Sequence, residues 1–191
     1  MVVLPVMAMA QVQQGQSFLS GGIGFNTNSP AHPQPGETTQ FTHFDINAKY
    51  GFMIGDTWAI GISPSYSAQT QKYTNNSKGV STDFGIGPFV RKYFRCNDKF
   101  YFHLDASYTF EQLGGYTTDP GGNKTNTPKS TSNVIGITPG ASYFITDRVA
   151  LQATLGKLSY SSFKNGSTKE SSGFDLNFGI TSFTLGAAVY F

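Results

Sequence analysis

Apolar and polar side chains alternate along most of the chain with the period of two that an extended strand requires. The last nine residues show this pattern most simply. Phe183, Leu185, Ala187, Val189 and Phe191 fall on one face, and small or polar residues fall on the other. The pattern predicts a strand with one apolar face that ends on an aromatic side chain.

The same alternation recurs in seven earlier segments, so the sequence predicts eight strands. Segments rich in Gly, Pro, Asn, Ser and Thr separate them, and these residue types favour turns and loops. Four longer connections alternate with three tight turns, and the longest predicted loop covers residues 112–132. The predicted strands cover residues 17–26, 41–52, 58–67, 80–93, 100–111, 133–144, 149–160 and 173–191.

The last two predicted strands each change the parity of their apolar face once. If Val149 pairs with Phe191, Leu158 lies opposite Ser182, where the final strand changes parity. A β-bulge on each strand would then keep the apolar face continuous. A Gly-Ile-x-Pro tetrapeptide also occurs three times, starting at residues 61, 85 and 136. Proline removes a ladder hydrogen bond, so these repeats predict β-bulges or local bends, unless they are coincidental in a glycine-rich chain.

Aromatic residues on the apolar face gather near the strand ends, and aliphatic or small residues fill the middle. Two aromatic girdles around an aliphatic band are typical of strands that cross a bilayer. A soluble lipocalin-like barrel would instead turn its main apolar face inward. The girdle residues predicted near the turns are Tyr50, Phe52, Trp58, Phe100 and Tyr143, and those near the loops are Tyr66, Tyr108 and Phe110.

Composition supports this interpretation. Hydrophobic residues make up 38% and charged residues only 13% of the 191 residues, and a soluble domain with so little charge is unusual. Ten tyrosines and 17 phenylalanines argue against disorder. The net charge of +2 and the absence of a Lys/Arg cluster argue against nucleic acid as a partner. Cys96 is the sole cysteine, which excludes an intrachain disulfide.

The first ten residues read as the end of a secretory signal, because a short apolar run precedes an Ala-x-Ala cleavage pattern at residues 8–10. Residues 1–10 are therefore predicted to be a signal-peptide remnant, and residues 11–191 the barrel domain. No run of 18 apolar residues exists to form a transmembrane helix.

Over about residues 17–191 the chain resembles the small eight-stranded outer-membrane barrels of the OmpA/OmpX type, the porin-family barrel domains. The resemblance rests on the alternation, on the unequal connections and on the terminal aromatic residue. It implies an all-β, antiparallel, up-and-down transmembrane barrel in the outer membrane, with short periplasmic turns, longer extracellular loops and both termini periplasmic. It also implies that Phe183, Leu185, Val189 and Phe191 form the signal that the barrel-assembly machinery reads.

The polar face of the strands carries the charges expected inside the barrel. Arg91 is predicted to face His103, with Asp105 diagonal to it. An eight-stranded barrel is just wide enough for side chains to fill its interior, so these charges are predicted to plug the lumen. The predicted lumen network comprises His43, Asp45, Lys49, Asp83, Arg91, His103 and Asp105.

The sequence gives little support for catalysis. His103 and Ser107 share a face but are four residues apart, too far for direct contact along a strand. Asp83 and Glu111 could hold a hard cation but are interpreted as solvated rim carboxylates. No cofactor, metal or enzymatic activity is predicted, and a lipid-modifying enzyme is the least supported alternative.

The sequence therefore predicts an outer-membrane barrel with a structural or interaction role, a filled lumen and surface loops as its interface. The alternatives are a narrow passive porin and an accessory subunit of a larger outer-membrane complex. The predicted partners are outer-membrane lipid and lipopolysaccharide, the barrel-assembly machinery and, in the last alternative, the larger complex.

Overall fold

The computed structural model describes residues 12–32, 34, 36–165, 168–178 and 183–191, with the backbone alone for residues 169, 170 and 183. The predicted signal remnant, residues 1–10, lies outside the described residues. Within them the chain forms eight long strands; three of these are interrupted once, and the last is described in two parts. The strands are β1 (Ser17–Asn28), β2 (Thr38–Gly55), β3 (Trp58–Ile62 and Ser65–Tyr73), β4 (Lys78–Ile86 and Pro88–Arg95), β5 (Phe100–Thr118), β6 (Lys124–Phe144), β7 (Val149–Leu155 and Lys157–Asn165) and β8 (Thr168–Asn177 and Phe183–Tyr190).

Each strand pairs antiparallel with the next strand in the chain, and β8 returns to pair with β1. The result is a closed antiparallel barrel, which confirms the predicted all-β fold. The connections β2–β3, β4–β5 and β6–β7 and the end of β8 lie at one end, here called the turn end. The other four connections lie at the opposite end, here called the loop end. No helix among the described residues is long and apolar enough to cross a membrane.

The alternation correctly predicted which face of each strand points outward. Leucine, isoleucine, valine and aromatic side chains of the predicted apolar face are exposed on the outer wall. Of the predicted girdle, Tyr50, Phe52, Trp58, Tyr66, Tyr108, Phe110 and Tyr143 are exposed there, and Phe100 is half-buried beside Phe102. Leu185, Val189 and Phe191 of the predicted assembly signal are also exposed. The side chain of Phe183 lies outside the described part.

The strands extend much further at the loop end than predicted. The predicted loop at residues 112–132 is largely the continuation of β5 and β6, whose pairing reaches Thr118 and Lys124. Only residues 119–123 form a turn, in which Asp119 accepts hydrogen bonds from the backbone and side-chain amides of Asn123. These bonds hold the pKa of Asp119 below its ordinary value. The segment contains several threonines, which favour strands. It has no alternating apolar pattern, so the strands could not be recognised from the sequence.

Together, the loop-end parts of β2 to β6 form a polar sheet that stands above the aromatic band. We call this region the sheet extension; it covers residues 38–43, 67–73, 78–83, 111–118 and 124–132.

The predicted register of the last hairpin is wrong by two residues. Val149 pairs with Val189 instead of Phe191, and Phe191 exchanges backbone hydrogen bonds with Ser17 of β1. The change of parity itself is present, because Asp175 and Asn177 line the lumen cavity in the first part of β8, whereas Thr184 and Gly186 line it in the second part. On β7 the irregularity falls at Gly156, whose φ of 94° suits glycine. The predicted bulge at Ser182 lies outside the described residues.

Two of the three Gly-Ile-x-Pro repeats interrupt their strands. Pro64 lies in the break within β3, and Pro88 follows the break within β4 at Gly87. The two breaks are adjacent, because the Ser63 amide donates to the Gly87 carbonyl.

At Pro139 the ladder with β5 is continuous, but the ladder with β7 is interrupted. Ile137 pairs with Leu158 and Gly140 pairs with Thr154, which is a register shift of one residue. The irregularity predicted at the third repeat is therefore present on the β7 side.

Candidate functional site: the closed lumen

Large aromatic side chains fill the turn end of the lumen. Their rings pack against one another, with centroids 5.3 Å apart for Phe18 and Tyr190, 5.0 Å for Phe144 and Tyr190, and 5.5 Å for Tyr101 and Phe144. We call this set the lumen plug; it comprises Phe18, Met53, Phe89, Tyr93, Tyr101, Phe144 and Tyr190, all buried.

An ion cluster lies directly on the lumen plug. Arg91 donates from Nε to Asp105 Oδ1 at 2.6 Å and from Nη2 to Oδ2 at 2.9 Å. Lys49 Nζ donates to the same Oδ2 at 2.5 Å. Arg91 and Asp105 are each 1% exposed, and the guanidinium lies 5.2 Å from the centre of the Phe18 ring. The bidentate pairing satisfies a charge pair that burial would otherwise strongly destabilise.

Hydrogen bonds to uncharged side chains extend this cluster across the barrel. Arg91 Nη1 donates to the Tyr93 hydroxyl, which bonds to the Tyr190 hydroxyl at 2.9 Å. Gln152 Nε2 donates both to the Tyr190 hydroxyl and to Ser142 Oγ. Ser142 Oγ lies 3.2 Å from Nδ1 of His103. One connected network therefore links residues of β4, β5, β6, β7 and β8.

The structure brings together only part of the predicted lumen network. Lys49, Arg91 and Asp105 are in direct contact, and His103 joins through Ser142. His43 and Asp45 lie towards the loop end, where His43 Nε2 is 3.5 Å from Asp45 Oδ1.

Asp83 also lies towards the loop end, where it accepts a hydrogen bond from Ser67. The predicted network is thus divided between the ion cluster, with His103 linked to it, and the rim at the loop end.

The predicted pairing of Arg91 with His103 is wrong by two residues. Arg91 lies opposite Asp105, and Tyr93 lies opposite His103. The cause is the turn between β4 and β5, which covers residues 96–99 and so lies one residue later than the predicted turn at residues 95–98. Asn97 Oδ1 accepts hydrogen bonds from the amides of Lys99 and Phe100, which stabilises a four-residue turn. A shift of two residues keeps the same side chains inside the barrel.

The aromatic half of the lumen does not follow from the alternation alone. Phe18, Phe89 and Tyr190 are buried at inward positions, on the face that the pattern marks as small or polar. Their position on the polar face near the strand ends is the sequence signal for a lumen filled with aromatic side chains. An aromatic side chain at an inward position next to a tight turn has little room except inside the barrel mouth.

A cavity of about 510 Å³ lies on the loop side of the ion cluster. Arg91 and Lys49 line it together with polar residues from opposite walls, including Asn47, Gln152 and Lys157. The lumen is therefore polar and hollow towards the loop end, and packed with side chains towards the turn end.

Ser142 and His103 bring a hydroxyl within 3.2 Å of an imidazole nitrogen, but both side chains are buried next to the ion cluster. Among the described residues, no three His, Cys, Asp or Glu side chains gather where they could hold a metal ion.

Solved structures share this architecture at low sequence identity. Neisserial surface protein A is 18% identical, with a TM-score of 0.52, 93% of this chain covered and 98% of that chain. OprG from Pseudomonas aeruginosa is 11% identical, with a TM-score of 0.53 and coverages of 95% and 98%. Ail from Yersinia pestis, in its complex with a heparin analogue, is 15% identical, with a TM-score of 0.50 and coverages of 94% and 100%.

No curated protein sequence matches the chain significantly. A family model does match, and it spans residues 1–191 under the description "Outer membrane protein beta-barrel domain". The closed barrel, the apolar outer wall and this match lead to one conclusion. The chain belongs to the outer membrane protein beta-barrel domain family.

Proposed function

We propose that the protein is a closed, non-conducting barrel with a structural or interaction role in the outer membrane. The observation that carries this proposal is the buried ion cluster lying on the lumen plug. Side chains from six strands meet there, and they are buried. An eight-stranded barrel has room for such a filling and little more.

In this proposal the turn end faces the periplasm and the loop end faces the cell exterior. Both termini are then periplasmic, and the sheet extension stands outside the membrane. The short turns at one end and the longer strands at the other support this orientation. The sheet extension replaces the predicted surface loops as the surface available to partners. The barrel-assembly machinery would read the end of β8, and lipopolysaccharide would surround the outer wall.

The proposed role is not enzymatic. The burial of Ser142 and His103 supports this, because a substrate could not reach them without opening the ion cluster. The charged residues of the lumen instead have a packing partner or a hydrogen-bond partner that explains their position.

Planar bilayer recording tests the closed lumen. We expect the reconstituted protein to give no steady current, whereas a known porin added to the same membrane conducts. A stable, ion-conducting state of the unmodified protein would instead establish the narrow-porin alternative. The cavity of about 510 Å³ favours this alternative, because a channel would need only the lumen plug to move.

Purification from native membranes tests the accessory-subunit alternative. Under the proposed function, the protein extracts in mild detergent without a stoichiometric protein partner. Repeated recovery of one outer-membrane protein at equal amounts, after crosslinking as well as without it, would identify a larger complex.

A further inference from the structure

Three lysines lie in one cross-strand row near the top of the sheet extension. Lys72 pairs directly with Lys78, Lys78 pairs with Thr118, and Thr118 pairs with Lys124. Directly paired residues point to the same side of a sheet. With strands about 4.8 Å apart, the row spans about 15 Å across four strands.

This row is electrostatically costly as it stands. Like charges directly opposite each other destabilise a strand pair, and Lys72 faces Lys78 in this way. None of the ion pairs found among the described residues involves these lysines. The two nearest tip carboxylates are engaged elsewhere, since Asp119 bonds to Asn123 and Glu37 accepts from the Gln34 amide.

The two faces of the sheet extension carry opposite charges. The acidic residues Asp83 and Glu111 of the sheet extension, with Asp45 just below it, line a cavity of about 270 Å³ on the inner side. The three lysines point outward, as their position in the alternation shows: Lys72 lies six residues from exposed Tyr66, and Lys78 six residues from exposed Phe84. The positive charge is thus concentrated on the outer wall.

The row also lies at a defined height above the aromatic band. Six residues of strand measure about 20 Å, and a strand tilt of about 40° reduces this to about 15 Å along the barrel axis. Because the row continues the lipid-facing wall, it faces neighbouring molecules in the membrane plane. In the outer leaflet, a layer about 15 Å above the interface contains the sugar and phosphate groups of lipopolysaccharide.

We infer that Lys72, Lys78 and Lys124 form a binding site for the phosphate groups of the lipopolysaccharide that surrounds the barrel. Each ammonium group supplies up to three donors to phosphate oxygens. Lys124 Nζ lies 4.0 Å from the centre of the Tyr116 ring, which holds that ammonium on the outer wall. A bound phosphate would offset the repulsion between Lys72 and Lys78.

The test compares the K72Q/K78Q variant with the K99Q/R148Q variant, which loses the same charge from exposed positions at the turn end. Fluorescent rough lipopolysaccharide with a phosphorylated lipid A and inner core is titrated against each protein in detergent micelles. A lysine near an anionic lipid surface contributes about fivefold in affinity, so K72Q/K78Q should bind about 25-fold more weakly. The control should bind like the parent, and K124Q should show about a fivefold loss.

Dephosphorylated lipopolysaccharide should bind the parent as weakly as the phosphorylated form binds K72Q/K78Q, and added salt should reduce this difference. Equal binding by the parent and K72Q/K78Q would overturn the inference, as would an equal loss in the control. The inference would also be overturned if the lysines bound a soluble sulfated oligosaccharide but contributed nothing to the affinity for lipopolysaccharide. The inference rests on the proposed orientation, but binding in micelles does not depend on it. A failure here is therefore distinguishable from a reversed topology in cells.

Discussion

At the scale of single residues, Arg91 holds the lumen together. Its guanidinium makes two hydrogen bonds to Asp105 and one to the Tyr93 hydroxyl while lying over the Phe18 ring. Removing one partner of such a pair leaves the other charge buried and unpaired, which costs far more than the pair contributes. Lys49 would remain beside Asp105 and would compensate only in part.

We therefore expect Arg91→Ala to lower the free energy of unfolding by about 3–5 kcal/mol. Reversible unfolding in micelles, or the temperature at which the folded band is lost in SDS, measures the change. Arg95→Ala is the matched control, because Arg95 pairs with Asp98 on the exposed turn. A similar loss in both variants would mean that general charge, and not the buried pair, stabilises the barrel.

Gly140 gives a second test at this scale. A Cβ there would collide with the His103 imidazole and the Ala153 carbonyl. Overpacking of this kind typically costs about 1–3 kcal/mol, so Gly140→Ala should lower the unfolding midpoint measurably. Gly79→Ala is its control, since a Cβ at Gly79 meets nothing within 4 Å. Equal midpoints for the two variants would show that the His103 side can relax.

The residues inside the barrel could be predicted, but their contacts could not. Alternation places Arg91, His103 and Asp105 on one face whatever the register, because a shift of two residues preserves the face. The choice between His103 and Asp105 as the partner of Arg91 depends on the turn. There the side chain of Asn97 fixes which four residues form the turn, a local effect that alternation does not report.

At the scale of elements, β8 combines lipid contact with closure of the barrel. Leu185 is 67% exposed on the outer wall, and the backbone of Phe191 exchanges two hydrogen bonds with Ser17. The terminal strand therefore depends on its apolar face for insertion and on its last residue for pairing.

Replacing Leu185 by Arg should destabilise the inserted barrel by about 2–4 kcal/mol, the cost of a cation near the bilayer midplane. Thr184→Ser, at the neighbouring residue, should change stability little. The two variants are compared by their folding yield in lipid vesicles and by the heat resistance of the folded band in SDS. If Leu185→Arg inserts and resists heat like the parent, Leu185 does not face lipid.

The lengths of the strands were the least predictable feature at this scale. Beyond the membrane both faces of a strand are polar, so the apolar pattern stops where the bilayer stops while the ladder continues. Threonines in residues 112–132 favour strands, but the glycines and Pro128 in the same segment favour a loop. The sequence therefore revealed the lipid-facing band of each strand and not its end.

At the scale of the whole molecule, the orientation in the membrane can be tested with the natural cysteine. Cys96 is exposed in the turn between β4 and β5. If the turn end is periplasmic, an impermeant maleimide should label Cys96 only after the outer membrane is opened. The C96S/N123C variant should be labelled in intact cells, because Asn123 lies in the turn at the loop end. The opposite pattern would reverse the proposed topology.

The division of the lumen was the other feature that sequence alone did not reveal. Charges and aromatic residues both lie on the inward face, yet the aromatic residues gather at the turn end, and the acidic residues Asp45 and Asp83 lie near the loop end. Their separation depends on the depth of each strand in the barrel. Depth follows from the shear between strands, which eight separate alternating segments do not determine.

The pairing between β1 and β8, here called the seam, is short and should be mechanically weak. Among the described residues, these strands pair only from Phe18–Tyr190 to Gly21–Ala187, beyond the Ser17–Phe191 bonds. The ladder between β5 and β6 is several times longer. Under a pulling force applied along the wall, the first rupture should therefore separate the first strand from the last and leave the other seven ladders intact. Single-molecule extraction from the C-terminus should begin with a small force peak for the opening of this seam, followed by larger peaks for the removal of whole hairpins.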